Sequence, residues 1–189
     1  RKRTAGGENK GQLSAAIRDI LVVDFLLRLG EGTMAILPKL RDLLDRSQVA
    51  YTHHVHPLVY TAKELASAEH LPEHEVVKTI VFLGDNGFGM AILSADCMVD
   101  LFELRSALDL SRLRLATEAE LADLFPECEL GAMPPFGNLF GMPVFVDSRV
   151  AGEEFIAFNA GTHHDVVILR FRDFRSLVQP EVIHFARFA

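Results

Sequence analysis

Val76-Val77-Lys78-Thr79-Ile80-Val81-Phe82-Leu83, then Gly84-Asp85-Asn86-Gly87, then Phe88-Gly89-Met90-Ala91-Ile92-Leu93-Ser94 is the stretch on which the fold turns. Two runs rich in apolar and β-branched side chains flank four residues that favour a tight turn, which predicts a β-hairpin. Upstream, Leu37, Leu40, Leu43 and Leu44 form one stripe of a helix from Ile36 to about Arg46, and Tyr51 to His56 alternates as a strand does. Thr61 with Glu64 three residues on is a capping box opening a helix to about His70. Downstream, Asp100 to Leu108 reads as a helix and Arg112 to Leu115 as a strand, and a second capping box, Thr117 with Glu120, opens a helix to about Phe125. Gly131 to Gly137 holds too much Gly and Pro for a regular element and predicts a stiff loop. Strands follow over Pro143 to Asp147, Glu154 to Phe158 and Val166 to Phe171, then a helix over Asp173 to Val178 and a last strand over Val182 to Phe188. Helices interrupt the strands irregularly, so the class is α+β rather than a repeated βαβ winding.

Composition sets the bounds. The chain has 189 residues, 49% hydrophobic and 24% charged, enough to bury one core and far from a disordered composition. No stretch of about 18 residues is free of charge, so no membrane span is expected. The most apolar early segment, Ile17 to Leu29, carries Arg18, Asp19, Asp24 and Arg28 and does not suit a signal peptide. Two cysteines, Cys97 and Cys128, make no disulfide scaffold, and a cytoplasmic location is the expectation. The net charge is −7 and unevenly spread: residues 1–33 hold six Lys/Arg against four Asp/Glu, whereas residues 34–189 hold 13 against 22. With a helix expected from Ser14 to about Leu29 and the start-like Met34-Ala35-Ile36-Leu37-Pro38, residues 1–33 read as an extension and 34–189 as the functional domain. So acidic a domain excludes a protein that coats nucleic acid non-specifically, but not a small basic pocket.

Three places could carry chemistry. Only three lysines follow Met34; Lys39 and Lys63 sit on helices, whereas Lys78 interrupts an apolar strand. A buried ammonium costs desolvation, so either its stem lies on the sheet with its head in water, or its charge waits at a pocket mouth for a phosphate or carbonyl oxygen. The Gly131–Gly137 loop is either a corner or a rigid presenter of backbone N–H groups. The third place is the turn Phe158-Asn159-Ala160-Gly161-Thr162-His163-His164-Asp165, where one of two adjacent histidines can face a pocket. His54 and His56 share a strand face, but no metal-ligand spacing accompanies them, so no metal and no cofactor are expected. Buried, unactivated thiols are expected for both cysteines.

In their order along the chain, these pieces resemble the YbaK/prolyl-tRNA synthetase-associated editing domain family. They are Thr61-Ala62, Val77 to Phe82, Gly131 to Gly137, Pro143 to Asp147 and Phe158 to His163, so the resemblance spans Met34 to about Val178. It implies an α+β domain around a mixed, curved β-sheet with surrounding helices. It also implies a free-standing, metal-independent hydrolase that clears small amino acids from mischarged tRNA, tRNA(Pro)-type substrates first. Lys78 and His163 would be its catalytic residues, with Thr79, Gly131, Pro134, Pro135, Phe136, Gly137, Asn159 and Gly161 around the aminoacyl group. Backbone N–H groups near Gly131 and Gly161 would hold the oxyanion. The implied partners are the acceptor end of the tRNA and an aminoacyl-tRNA synthetase that delivers it. A basic mouth of Lys63, Lys78, Arg149 and Arg170 would offset the acidic surface. The alternative is a non-catalytic binding or regulatory module on the same fold, docking a partner through the N-terminal helix.

Overall fold

The computed structural model of the protein describes residues 36–189. The helix expected over Ser14 to Leu29 lies outside them. In chain order the elements are α1 (Pro38–Arg46), β1 (Tyr51–Val55), α2 (Ala62–Ala68), β2 (Val77–Gly84), β3 (Gly87–Ser94) and β4 (Cys97–Val99). Then come α3 (Leu101–Ala107), β5 (Leu113–Leu115), α4 (Glu118–Leu124), β6 (Val144–Asp147), β7 (Phe155–Asn159), β8 (Asp165–Arg170), α5 (Phe171–Val178), β9 (Glu181–Ile183) and β10 (Ala186–Phe188).

The hairpin forms as its sequence predicts: β2 and β3 run antiparallel, with Gly84 opposite Gly87 across Asp85-Asn86. Gly87 has φ +107°, a conformation that costs glycine little. The pair is the centre of a five-stranded mixed sheet ordered β5-β2-β3-β6-β9, in which β3–β6 and β6–β9 are parallel. β3 explains its own composition. Met90 and Ile92 enter the main core while Ala91 and Leu93, on the opposite face, enter a smaller one built on Phe82, Leu104 and Phe185. A strand buried on both faces has no polar alternation to show.

A second, antiparallel sheet, β1-β8-β7, leans against the first, and a parallel bridge between Val76 and Ala157 joins the two into one bent surface. The result is a mixed α+β fold around curved sheets. Helix α1 closes the main core with Leu40 and Leu44, and α5 does so with Phe171 and Phe174. Both capping boxes form, each with the threonine side chain accepting the N–H of the glutamate and the glutamate carboxylate accepting the threonine's own N–H. The Glu120 carboxyl is held down at about 2, chiefly by the Arg114 guanidinium with help from the Thr117 N–H.

Two departures from the sequence reading meet at the end of the chain. The strand expected over Val182 to Phe188 is two strands in two sheets: β9 pairs with β6, and β10 pairs with β4, a strand the sequence did not announce. The cause is Asp147, 1% exposed at the end of β6. Its carboxylate accepts the N–H groups of Phe185 and Ala186, each at 2.8 Å, which takes both donors out of any ladder.

Just before β2, Glu75 is half-buried and its Oε2 meets no partner. Burial pushes its carboxyl above the ordinary range, with Glu153 and Glu154 adding to the push and His74 opposing it. A raised pKa means the folded protein gains stability from Glu75 only at acid pH and loses it as pH rises through the raised value. Glu75→Gln is therefore expected to melt higher than wild type at pH 7, with the gap closing as the pH falls toward 4. Melting curves at the two pH values check this, and an equal or lower midpoint at pH 7 would refute it.

Candidate active site

A cavity of about 490 Å³ opens where the start of β2 meets the capping box of α2. Lys78, Thr79, Gly131 and Asn159 all line it, brought from three separate stretches of chain, together with Tyr60, Lys63, Met98 and Met133. The other expected site residues stand behind this wall. Pro134, Pro135, Phe136 and Gly137 are buried. Phe136 is a core residue, its ring 5.6 Å from that of Phe158 and 5.4 Å from that of Phe174. A Cβ on Gly137 would lie 2.6 Å from the Met142 carbonyl oxygen, so this glycine serves chain packing. Local sequence could not separate a loop that faces a ligand from one whose second half plunges into the core.

Gly161 and His163 reach the cavity indirectly, through the Gly131 loop. The turn and the loop are zipped together: Glu129 N–H donates to Gly161 O (2.8 Å), Gly161 N–H to Ala132 O (3.0 Å), and His163 N–H to the Glu129 carboxylate (2.7 Å). His163 Nε2 lies 2.8 Å from the Leu130 carbonyl oxygen, which can only accept, so this nitrogen carries the proton. Its Nδ1 is buried without a partner. The ring sits directly behind Gly131, where a Cβ would come within 3.4 Å of it. Gly131 (φ +91°) and Gly161 (φ +112°) both need the freedom of glycine, and Gly161 also packs against Leu37, whose N–H donates to Ala160 O at 2.8 Å. This bonding revises the expected oxyanion donors. The Gly161 N–H is already spent on Ala132, and that of Gly131 points at the Met133 sulfur at 3.3 Å.

Lys78 is half-buried and its ammonium makes one long bond, 3.4 Å to the carbonyl of Ala95. Burial pulls its pKa below the usual lysine value; nearby Lys63 adds to this, while Cys97, Asp96 and Glu73 act the other way. The side chain shares a strand face with Ile80 and Phe82, which explains the burial of its stem. Lys63 stands across the same cavity, its ammonium 3.4 Å from Glu73. The expected basic mouth shrinks to these two lysines. Arg149 is held by Asp147 and the Ala186 carbonyl, and Arg170 by Glu154 at the far end of β8 from the Gly161 turn.

The remaining polar clusters are held elsewhere. His53 Nε2 pairs with Asp165 at 2.7 Å, His54 with Glu69 at 2.6 Å, and His56 Nδ1 with the Pro57 carbonyl at 2.7 Å, so the three rings do not converge on a common point. His74, Glu75 and Glu153 bring one ligand atom each within 4.8 Å of one another, but none of them lines the cavity. Burial raises both thiols, that of Cys128 to about 11. A second cavity, of about 330 Å³ near the hairpin turn, is lined by Asp109 and Glu181 and by no cation. Sequence reasoning missed Tyr60 in the cavity wall and Glu129 in its buttress; neither stands in a spacing that marks it.

The fold is shared with several solved structures. One is a protein described as a candidate trans-editing enzyme for prolyl tRNA synthetase, at TM-score 0.71 and 22% identity, over 84% of this chain and 99% of that one. Another is a scaffold computationally designed to present linear epitopes, at TM-score 0.73 and 20% identity, over 82% and 99%. A third is a candidate signal transduction protein from Marinobacter aquaeolei VT8, at TM-score 0.63 and 21% identity, over 79% of this chain and 31% of that one. No curated protein matches the sequence significantly. The model of the aminoacyl-tRNA editing domain matches residues 56–177, more than half of the chain. The chain belongs to that family, and membership supports a deacylase-type function. Among the described residues no helix is long and apolar enough to cross a membrane.

Proposed function

We propose that this protein hydrolyses the ester of mischarged aminoacyl-tRNA, with small amino acids on tRNA(Pro)-type acceptors as its first substrates and residues 34–189 as the working unit. The observation that carries the reading is a thinly solvated lysine, Lys78, facing one cavity with Gly131 and Asn159 in a chain of the editing family.

Lys78 acts as a point charge on the terminal phosphate or the ester carbonyl oxygen, where poor solvation makes its field count. Water attacks the carbonyl carbon, the bond to the ribose oxygen breaks, and that oxygen takes up a proton. The products are the free amino acid and the tRNA. His163 acts through the loop, fixing Gly131 from behind with its Nε2–H on Leu130 O, and so is a positioning residue. The neighbouring ribose hydroxyl is the proton relay within reach of the ester. Asn159, whose Oδ1 finds no partner in the protein, and Thr79 complete the wall around the amino acid. A pocket that selects by size gains only about 1–3 kcal/mol per methylene, which suits clearing small residues and sparing larger ones. The acidic remainder of the domain limits the grip to the acceptor end, with a synthetase as the partner that brings the tRNA.

The test is a deacylation panel in which tRNAs charged with alanine, cysteine, serine and proline are offered to the wild-type chain and to Lys78→Ala. Hydrolysis of at least one mischarged species that depends on Lys78 supports the proposal. Absence of hydrolysis on every substrate, or indifference to Lys78, sinks it and leaves a binding module.

A further inference from the structure

Tyr60 is an aromatic side chain that the fold holds firmly and leaves uncovered. Its residue is 67% exposed, yet it lines the cavity that holds Lys63 and Lys78. Its backbone cannot drift, because the Glu64 carboxylate that closes the capping box accepts the N–H of Tyr60 at 2.9 Å as well as that of Thr61 at 3.0 Å. The ring rests on the His163 ring at a centroid distance of 5.2 Å, tilted by 58°, which fixes one side and leaves the remainder to solvent. Leu130, whose carbonyl accepts from His163 and which precedes the cavity-lining Gly131 in the chain, is 47% exposed. A rigid aromatic plane beside two cations is the arrangement that grips a single-stranded nucleotide, the base by stacking and the phosphate by charge.

We infer that Tyr60 is the platform on which the terminal nucleobase of the tRNA acceptor end stacks, with Lys63 and Lys78 facing the backbone of the same nucleotide. This rests on the reading of the cavity as the site of an aminoacylated tRNA end. It adds which side chain takes the base. Stacking is indifferent to ionic strength, whereas lysine–phosphate contact is not, so the two contributions separate under salt.

The experiment uses the full chain and a CCA trinucleotide whose last adenine is replaced by 2-aminopurine, a fluorescent base quenched on stacking. The wild-type chain and Tyr60→Phe are expected to quench the probe and bind it alike. Tyr60→Leu, which keeps apolar bulk but no π face, is expected to lose the quenching and to bind about 5- to 100-fold more weakly, with an unchanged slope of affinity against salt. Thermal melts of both variants confirm folding. No quenching by the wild-type chain, or quenching by Tyr60→Leu equal to wild type, overturns the inference, since a rim that instead docks a protein partner gives either result. Measuring deacylation alongside keeps the two readings apart. Tyr60-dependent quenching without hydrolysis of any mischarged tRNA upholds the platform and sinks the hydrolase. Hydrolysis with Tyr60-independent binding does the reverse.

Discussion

Lys78→Ala is expected to lower the rate constant for deacylation at sub-saturating substrate by a factor of about 10² to 10³ while leaving the fold intact. The size follows from the surroundings of the ammonium. It is half-buried, with one 3.4 Å bond to a carbonyl, so little of its charge is spent within the protein and most is available to a ligand. The same surroundings predict a cost to stability, because a charge drawn partly out of water without a close counter-ion is carried at a loss. Lys78→Met, which keeps the stem and discards the charge, should therefore be as inactive as the alanine variant and melt at or above the wild-type temperature. Burial has also pulled the Lys78 pKa down, so activity that needs the ammonium should fall at a pH below that of an ordinary lysine. Deacylation rates against pH for the wild-type chain, and melting curves for both variants, check these results. A variant within threefold of wild-type activity would remove Lys78 from the chemistry.

The second large effect is on folding. Asp147→Ala is expected to cost about 3–5 kcal/mol, a large part of the roughly 5–15 kcal/mol that keeps such a domain folded. Asp147 is 1% exposed and accepts from Phe185 N–H, Ala186 N–H, Arg149 N–H and the Arg149 guanidinium. Its removal strands two buried backbone donors and deprives the Arg149 guanidinium of its carboxylate, and unmade bonds of that kind are penalised more than made ones are rewarded. A fall in melting temperature of about 10 °C or more is expected at this chain length. Asp147→Asn, which keeps one acceptor oxygen, should fall between. If Asp147→Ala melts within about 2 °C of wild type, the split of the last strand has another cause.

These cases show why some features were legible in the sequence and others were not. The β2–β3 hairpin and the two capping boxes rest on residues within a few positions of one another, so their chemistry is written locally. Lys78 was legible because a charge inside an apolar run stands out without knowledge of its neighbours. The break between β9 and β10 was not, since the acceptor that makes it is Asp147, 38 residues before Phe185. Phe136 was placed at the pocket by the family resemblance of its Gly131–Gly137 loop, and only the rings of Phe158 and Phe174 show it to be core. The Gly161 N–H looked available until its bond to Ala132 was seen. Tyr60 carried no signal because nothing local tells an exposed aromatic from a buried one. The match of residues 56–177 to the editing family adds what local chemistry could not, a reason to read the cavity as a catalytic site.

The bond from Leu37 N–H to Ala160 O has a practical meaning for anyone who cuts or extends the chain. Ile36 and Leu37 are each 2% exposed, and Leu37 is both the first residue of the α1 stripe and the support of the Gly161 turn. A fragment that begins at Met34 keeps that support, and one that begins at Pro38 removes a prop from under the pocket floor while leaving every pocket residue in place. A fusion partner joined directly at Ile36 would pull on the Ala160 peptide rather than on a helix end. A linker or tag therefore has to leave Ile36 and Leu37 in place, and loss of activity after trimming past them would report on the turn and not on the chemistry.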